Sequence, residues 1–469
     1  ADLTRTDSAA TDEQEEFQRF QMELEFVQCL CHMGYLNYLA NQGYFDKADF
    51  ISYLDYLQYW RQPEYAKFLI FPQSLHFLDM LQDRAFRETC KDSNFTNMLH
   101  RQQFFHWYSR QNMERLKNLQ AHIDNTILVT PGSSSTTIVL NRPSSLNSLT
   151  IEMIMSISRA IKPLESESKE LLLIGAGSRA FCAGGDVVAI ANNSSVAIEF
   201  FSNEFRLFYD ISRVQSNRCA VLRGYVMGGG VGLSLACNVR IATPSTVWAM
   251  PENIIGLVPD VGSSYYLSRL SPPSVGLYLM LTGTRLSGAD TFFLGLATHY
   301  LASDELVDTL SAEIAQGSGV KVVADRYHKA PDRASSKMLG HTEEIETCFK
   351  NAANIEEIYE RLTSLNTPWA HETMRVLSQQ CPLSLVLALH LFKQAKHQSY
   401  AGCLELEFNL VIQLTVHRNY NFVLGVNHRL VHKEKTTPPW EPSHYSNVTE
   451  AMVGIAFRNE EGPKLQLSG

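Results

Sequence analysis

At 469 residues the chain is too long for one ordinary domain, and roughly 150 residues per domain suggests about three units. Its 45% hydrophobic and 19% charged residues are typical of a soluble globular protein, and no apolar run approaches the ~18 to 20 residues that span a bilayer, so no membrane role is expected. The net charge of −9 excludes the broad basic surface that sequence-independent nucleic-acid binding requires, so no direct nucleic-acid partner is expected; a small basic pocket for an anionic ligand remains compatible with it.

The first sixteen residues carry Asp2, Asp7, Asp12, Glu13, Glu15 and Glu16 against Arg5 alone. They read as a polar, disordered tail, residues 1–16, and not as an Arg-rich transit peptide. From Phe17 to about Gln120 the periodicity is helical: Phe20, Leu24 and Val27, then Tyr35, Leu36 and Leu39, recur at three and four. Tyr53, Leu54, Tyr56, Leu57, Tyr59 and Trp60 repeat that pattern with aromatics. Pro63 and Pro72 suit first turns of new helices, and Gly43 suits a helix C-terminus. The stretch predicts an all-α bundle, with residues 112–123 as a semi-rigid helical joint and no flexible linker. His106 beside Trp107 reads as packing.

Near Asn125 the pattern changes. Thr126–Thr130 and Thr136–Asn141 read as strands about a Pro131-Gly132-Ser133 turn. Thr150–Leu164 reads as a helix, and Leu171–Gly175 and Cys219–Gly224 as buried strands, so an α/β unit follows. From about Ser335 the pattern is mostly helical again. The nine cysteines are scattered from Cys29 to Cys403 with no two-residue spacing, which predicts free buried thiols and no metal or redox site.

Two glycine-rich segments carry the chemistry. Ala180-Phe181-Cys182-Ala183-Gly184-Gly185-Asp186 and Met227-Gly228-Gly229-Gly230-Val231-Gly232-Leu233 each follow a strand. Read alone, either is compatible with a plain strand-to-helix turn. A dinucleotide fingerprint fits poorly, since Leu233 falls where the last glycine belongs. Glycine admits close approach of a ligand, and a helix N-terminus offers free N–H groups, so two such N–H groups aimed at one point would form an oxyanion hole.

Taken with Asn141-Arg142-Pro143 and Asn147-Ser148-Leu149-Thr150, these segments resemble the enoyl-CoA hydratase/isomerase (crotonase) superfamily. Ala249-Met250-Pro251-Glu252, Gly256-Leu257-Val258-Pro259-Asp260-Val261-Gly262, Leu281-Thr282-Gly283 and Gly295-Leu296-Ala297-Thr298-His299 are similar to its 3-hydroxyisobutyryl-CoA hydrolase branch. The resemblance covers residues 125–445 and leaves 446–469 as a C-terminal tail. It implies a crotonase-type spiral α/β fold with a helical C-terminal region, acting on an acyl-CoA with no separate cofactor, coenzyme A being part of the substrate. It implies hydrolysis of a short thioester such as 3-hydroxyisobutyryl-CoA, a step of valine catabolism. By motif position the oxyanion donors would be Gly185 and Gly229, Glu252 the nucleophile or general base, Asp260 the aid to water activation and proton transfer, and Glu204 a substrate contact. Crotonase hydratases carry a second Glu where this chain has Gly232, and usually a Gly where it has Asp260; both differences favour hydrolysis. Departures lie elsewhere: Ser144 for a frequent Lys, Asn409 for an Arg, and Leu424-Gly425-Val426-Asn427-His428 with His432-Lys433-Glu434 in the C-terminal segment.

The helical part resembles Mediator subunit 31 (Soh1), through Arg19–Leu30, Tyr35–Ala40, Gly43-Tyr44-Phe45, Tyr59-Trp60, Pro63–Lys67, and Phe71-Pro72-Gln73 with Leu75. That likeness, over residues 17–120, implies a protein-interaction module for a proline-rich segment of another Mediator subunit, serving RNA polymerase II transcription. The two resemblances point to different compartments, mitochondrial and nuclear. The alternatives are therefore a hydrolase carrying an interaction module, a Mediator subunit with an idle hydrolase-like appendage, or a crotonase-fold scaffold. A homo-oligomer is open, since crotonase relatives are often trimeric.

Overall fold

The computed structural model describes residues 6–93, 95–96, 125–191, 193–417, 420–458, 463–465 and 467, with backbone alone for 6–15. The chain forms two compact units, Ala1–Ile123 and Asp124–Gly469. The expected helical joint at 112–123 and the His106–Trp107 pair lie outside the described residues.

The first unit is helical throughout its described residues. Its principal helices are Thr6–Cys29, Met33–Asn41, Ala48–Tyr56, Ser74–Met80 and Arg84–Thr89. The opening helix begins at Thr6, so most of the expected polar tail 1–16 is helical backbone. Gly43 follows the second helix at φ 71°, the left-handed stop that its sequence position suggests. Pro63 is the first residue of the short Pro63–Ala66 helix, whereas Pro72 sits in the turn before Ser74 and accepts from Leu75 N–H. Val27, Leu30, Leu36, Leu39, Leu54, Leu57, Trp60 and Leu78 form the core. Within it lies one carboxylate, Glu23, only 3% exposed. It accepts from Tyr56 Oη (3.2 Å), Tyr59 Oη and Trp60 Nε1 (3.4 Å). Of the four aromatics expected to pack, Trp60 is core, Tyr53 and Tyr59 are half-buried and Tyr56 is exposed.

The second unit contains, among the described residues, strands β1 (Ile127–Pro131), β2 (Ser135–Leu140), β3 (Glu170–Gly175), β4 (Ala180–Cys182), β5 (Arg218–Leu222), β6 (Tyr225–Met227), β7 (Val239–Ala242), β8 (Val247–Ala249), β9 (Leu286–Ser287) and β10 (His299–Tyr300). They make a six-stranded sheet β1-β2-β3-β5-β7-β10 and a four-stranded sheet β4-β6-β8-β9. The β1–β2 hairpin is antiparallel and the rest of the larger sheet is parallel. The pairs β3/β4, β5/β6 and β7/β8 each divide between the sheets, so each turn of the chain adds one strand to both. Parallel strands buried on both faces read as unbroken apolar runs, which is why Leu171-Leu172-Leu173 and Cys219-Ala220-Val221-Leu222 lack polar alternation.

The fold continues past the boundary expected at 445. Residues 446–469 were expected to be a tail, but Glu450–Phe457 is a helix capped by Thr449, and Ala456 and Leu465 enter the main core. Its run Ala451-Met452-Val453-Gly454-Ile455-Ala456-Phe457 is apolar enough to require such cover.

Removing the Glu23 acceptor would strand the Trp60 indole N–H in the core and leave the half-buried Tyr59 hydroxyl without its partner. Glu23→Ala is expected to lower the stability of the helical unit by about 2 kcal/mol or more. In a thermal melt of the full chain, its transition should shift down while that of the α/β unit stays in place.

Candidate active site

The register of the small sheet assembles the site. β4, β6 and β8 run parallel, with Cys182 opposite Val226 and Met227 opposite Ala249. Their C-terminal ends therefore lie side by side, and the segments that follow them emerge together: Ala183–Asp186, Gly228–Gly229 and Met250–Glu252. Such strand ends are a common location for ligand sites in α/β sheets.

The first loop is held from below by the Arg142–Thr150 motif. Leu149 N–H donates to Gly184 O and Asp186 N–H to Leu149 O, as in a parallel bridge. In that pattern the N–H of the residue between, Gly185, points away from Leu149. Asn147 donates to Ala176 O and Ala180 O and accepts from Arg142 N–H, and the Arg142 guanidinium reaches Asp186 at 3.2 Å. The second loop turns at Gly228, whose φ of 48° and ψ of −122° suit only glycine, and Gly229 opens the Gly229–Leu235 helix. As the first residue of a helix, Gly229 has no intrahelical acceptor for its N–H.

Three carboxyl groups converge on these loops. Glu204 rides on the buried face of the Ser194–Arg213 helix, in step with Phe200, Phe201, Phe205, Phe208 and Ile211. A methyl group at Gly229 would collide with Glu204 Oε1, and one at Gly228 would lie 3.0 Å from Glu252 Oε1. Glu252 opens the short turn Glu252–Ile255 just after β8. Asp260 follows on the Gly256–Gly262 segment. A cavity of about 220 Å³ is lined by Gly185, Gly229, Glu204, Glu252 and Asp260, together with apolar groups such as Val187, Phe200 and Leu257. The structure thus brings all five expected site residues to one cavity. Arg429 and Leu430 line it as well. They lie between the two divergent stretches, Leu424–His428 and His432–Glu434, and belong to none of the motifs.

Burial governs the electrostatics. Glu204, Glu252 and Asp260 are 2%, 7% and 3% exposed, and among the described residues none is in an ion pair. Desolvation, then the charge of Glu252, pushes Glu204 up to about 8. Desolvation likewise pushes Glu252 up to about 8. Asp260 rises well above the usual carboxylate range through burial, then through Glu252, Glu204 and a fourth buried acid, Glu407. Among the described residues, Glu204 Oε1 and Glu252 Oε2 have no hydrogen-bond partner.

The position that a hydratase would fill with a second Glu is closed. A Cβ at Gly232 would lie 2.5 Å from Phe208 Cε2 and 2.8 Å from Val261 Cβ. No longer side chain fits there without displacing the core. Among the described residues no group of three His, Cys, Asp or Glu side chains is arranged to hold a metal ion.

The chain is similar to known proteins in both units. Residues 135–457 match the enoyl-CoA hydratase/isomerase family, and residues 17–111 match SOH1, also called Med31. The human mitochondrial 3-hydroxyisobutyryl-CoA hydrolase is 35% identical over 69% of this chain and 86% of its own length. The Arabidopsis thaliana 3-hydroxyisobutyryl-CoA hydrolase 1 is 34% identical over 71% of this chain and 92% of its own. Among solved structures, a carnitinyl-CoA dehydratase from Mycobacterium thermoresistibile superposes with a TM-score of 0.68 at 31% identity, covering 74% of this chain and all of that one. An enoyl-CoA hydratase from Rhodobacter sphaeroides gives 0.63 at 26% identity over 71% of this chain and 97% of its own.

A carboxyl whose folded pKa lies above its unfolded one binds more protons in the native state, so its contribution to stability is full below the unfolded value and is lost as pH rises through the folded one. For Glu204 that window runs from 4.5 to about 8. Glu204→Gln is near-isosteric and uncharged. It is expected to raise the unfolding free energy near pH 7.5 by about 1 to 3 kcal/mol and to flatten the fall of melting temperature between about pH 5 and 8.

Proposed function

This chain belongs to the enoyl-CoA hydratase/isomerase family, and we propose that it hydrolyses a short acyl-CoA thioester, 3-hydroxyisobutyryl-CoA, to 3-hydroxyisobutyrate and coenzyme A. The observation that carries this reading is the convergence of Glu252, Asp260 and Glu204 on the cavity of Gly185 and Gly229, with position 232 walled off.

In the proposed step the thioester carbonyl oxygen lies between the Gly185 and Gly229 N–H groups. Glu252, ionised, takes a proton from water as the water oxygen bonds to the carbonyl carbon. The two N–H groups hold the oxyanion that forms. The C–S bond then breaks, and the departing thiolate takes the proton carried by Asp260. Transfer of the proton on Glu252 to Asp260 restores the starting state. Glu204, beside Gly229, faces the acyl group, where its proton or lone pair can meet a hydroxyl. The apolar wall excludes bulk water and so strengthens each of these interactions.

We infer further that the helical unit is a protein-interaction module that takes an extended proline-rich segment of a Mediator subunit. Its match to SOH1 supports this, as do the exposed rings of Phe17, Tyr56, Phe68 and Phe71, since exposed aromatics are the surfaces that dock such segments.

Thiol release from (S)-3-hydroxyisobutyryl-CoA tests the hydrolase reading. Glu252→Gln should lower kcat by about 10²- to 10⁴-fold without lowering the melting temperature, since it too removes a buried carboxyl pushed up to about 8. For the wild type, kcat/KM should rise with pH as Glu252 ionises, with its acid limb near the value of about 8. A folded wild-type protein without turnover would remove the enzyme reading and leave a crotonase-fold scaffold behind an interaction module.

A further inference from the structure

We propose that Glu407 is a positioning residue of this site, gripping the turn behind Asp260 and so fixing where the Asp260 carboxyl stands. The proposal rests on the reading of Asp260 as the proton carrier in thioester hydrolysis. Glu407 lies on the Tyr400–Ile412 helix, far along the chain, and is 0% exposed. Its Oε2 accepts from Gly262 N–H at 2.5 Å and its Oε1 from Ser264 N–H at 3.0 Å. Asp260 and Val261 line the cavity; Glu407 stands behind them, outside its wall.

The turn needs such a grip. Val261 has φ 55° and Gly262 φ 82°. A β-branched residue in the left-handed region is strained, and strain of that kind persists only where the surroundings over-determine the backbone. Here the surroundings are the Glu407 carboxylate and the Tyr400 ring, whose Cε2 would lie 2.6 Å from a Cβ at Gly262. Val261 in turn closes the wall against position 232. Releasing the turn would therefore move the carboxyl and loosen the wall together.

The charge of Glu407 acts on the same residue. Burial raises its carboxyl to about 7, held back by the bonds from Ser264 and Gly262, which favour the ionised form. Asp260 faces Glu252, Glu204 and Glu407; Glu407 also faces the hydroxyl of Tyr400 and the thiol of Cys403; Arg429 is the basic group on the cavity lining. An ionised Glu407 keeps the proton on Asp260. A neutral side chain at 407 would let Asp260 ionise at lower pH, so the alkaline limb of kcat would move down the pH scale.

The experiment compares full-length wild type, Glu407→Gln, Asp260→Asn and the double variant. It measures kcat and KM for 3-hydroxyisobutyryl-CoA across about pH 5 to 10, together with hydrogen exchange of the peptide containing Gly262 and Ser264. Glu407→Gln should lower kcat by roughly 100-fold, as displacement of a reacting group does, with KM nearly unchanged. Its alkaline limb should move to lower pH and exchange of the Gly262–Ser264 amides should speed up. The double variant should be no slower than Asp260→Asn alone, because Glu407 acts through Asp260. Wild-type kcat and pH profile in Glu407→Gln would overturn the proposal, and so would a double variant that loses the full product of the two single effects. Should Glu407→Gln not fold, Glu407→Asp keeps the charge but is too short to reach both N–H groups. It should lose kcat while its alkaline limb stays in place, and wild-type kcat in it would overturn the proposal. A wild type without turnover would fail the hydrolase reading. Amide exchange then judges the grip of Glu407 alone, and unchanged exchange in the variant overturns it.

Discussion

Four carboxyl groups, Glu204, Glu252, Asp260 and Glu407, are buried close together, and they cannot all be charged at once. Desolvation disfavours each anion; the charge of Glu252 adds to it at Glu204, and those of Glu252, Glu204 and Glu407 add to it at Asp260. The cluster must therefore keep protons at neutral pH, and the surrounding structure decides which member gives its proton up first. Two backbone N–H groups favour the charge on Glu407. Burial and then three neighbouring acids hold Asp260 well above the usual carboxylate range. A site that needs one ionised base and one protonated acid at the same pH can obtain both from such a graded cluster.

The fold meets the cost of that burial by making the strand ends coincide. β4, β6 and β8 deliver the Gly185 loop, the Gly229 helix start and Glu252 to one place because they are neighbours in one parallel register. The helix of Glu204 must bury its phenylalanine face, and the carboxyl goes in with it. The Arg142–Asp186 pair and the Asn147 amide then hold the first loop, so the motif residues that never touch the cavity serve the backbone that lines it.

Much of this was legible in the sequence, for physical reasons that differ by residue. The glycines stand out because close approach and unusual backbone angles leave no other choice. Glu252 and Asp260 sit within a few residues of motif segments, so their positions could be read along the chain. Gly232 told against a hydratase before Phe208 and Val261 showed why no side chain fits. Glu407 was not legible: it is joined to Gly262 by contact across some 145 residues of sequence, and one of two Glu residues on a largely apolar helix announces no partner. The helix Glu450–Phe457 was missed for a related reason. A short apolar run near a chain end reads as a tail until the surface it covers is known. The exposed Tyr56 and buried Trp60 share one helical periodicity, so the pattern could say that aromatics pack but not which of them face water.

The two units show what separates a structural acid from a chemical one. Glu23 and Glu252 are buried to a similar degree, at 3% and 7% exposure. Glu23 is surrounded by donors, with two tyrosine hydroxyls and an indole N–H turned toward it, so its lone pairs are occupied by the protein itself. That arrangement ties the opening helix to the aromatic segment, with both carboxylate oxygens engaged by the protein. Glu252 is surrounded by other acids and apolar walls, and its Oε2 meets no donor among the described residues. An unmet acceptor in a cavity is costly to fold around. In the hydrolysis proposed above, water beside a bound thioester would supply the missing donor. On that proposal the same residue type at the same depth serves cohesion in one unit and reactivity in the other, and the difference lies in whether the protein completes the hydrogen bonds or leaves them for a substrate.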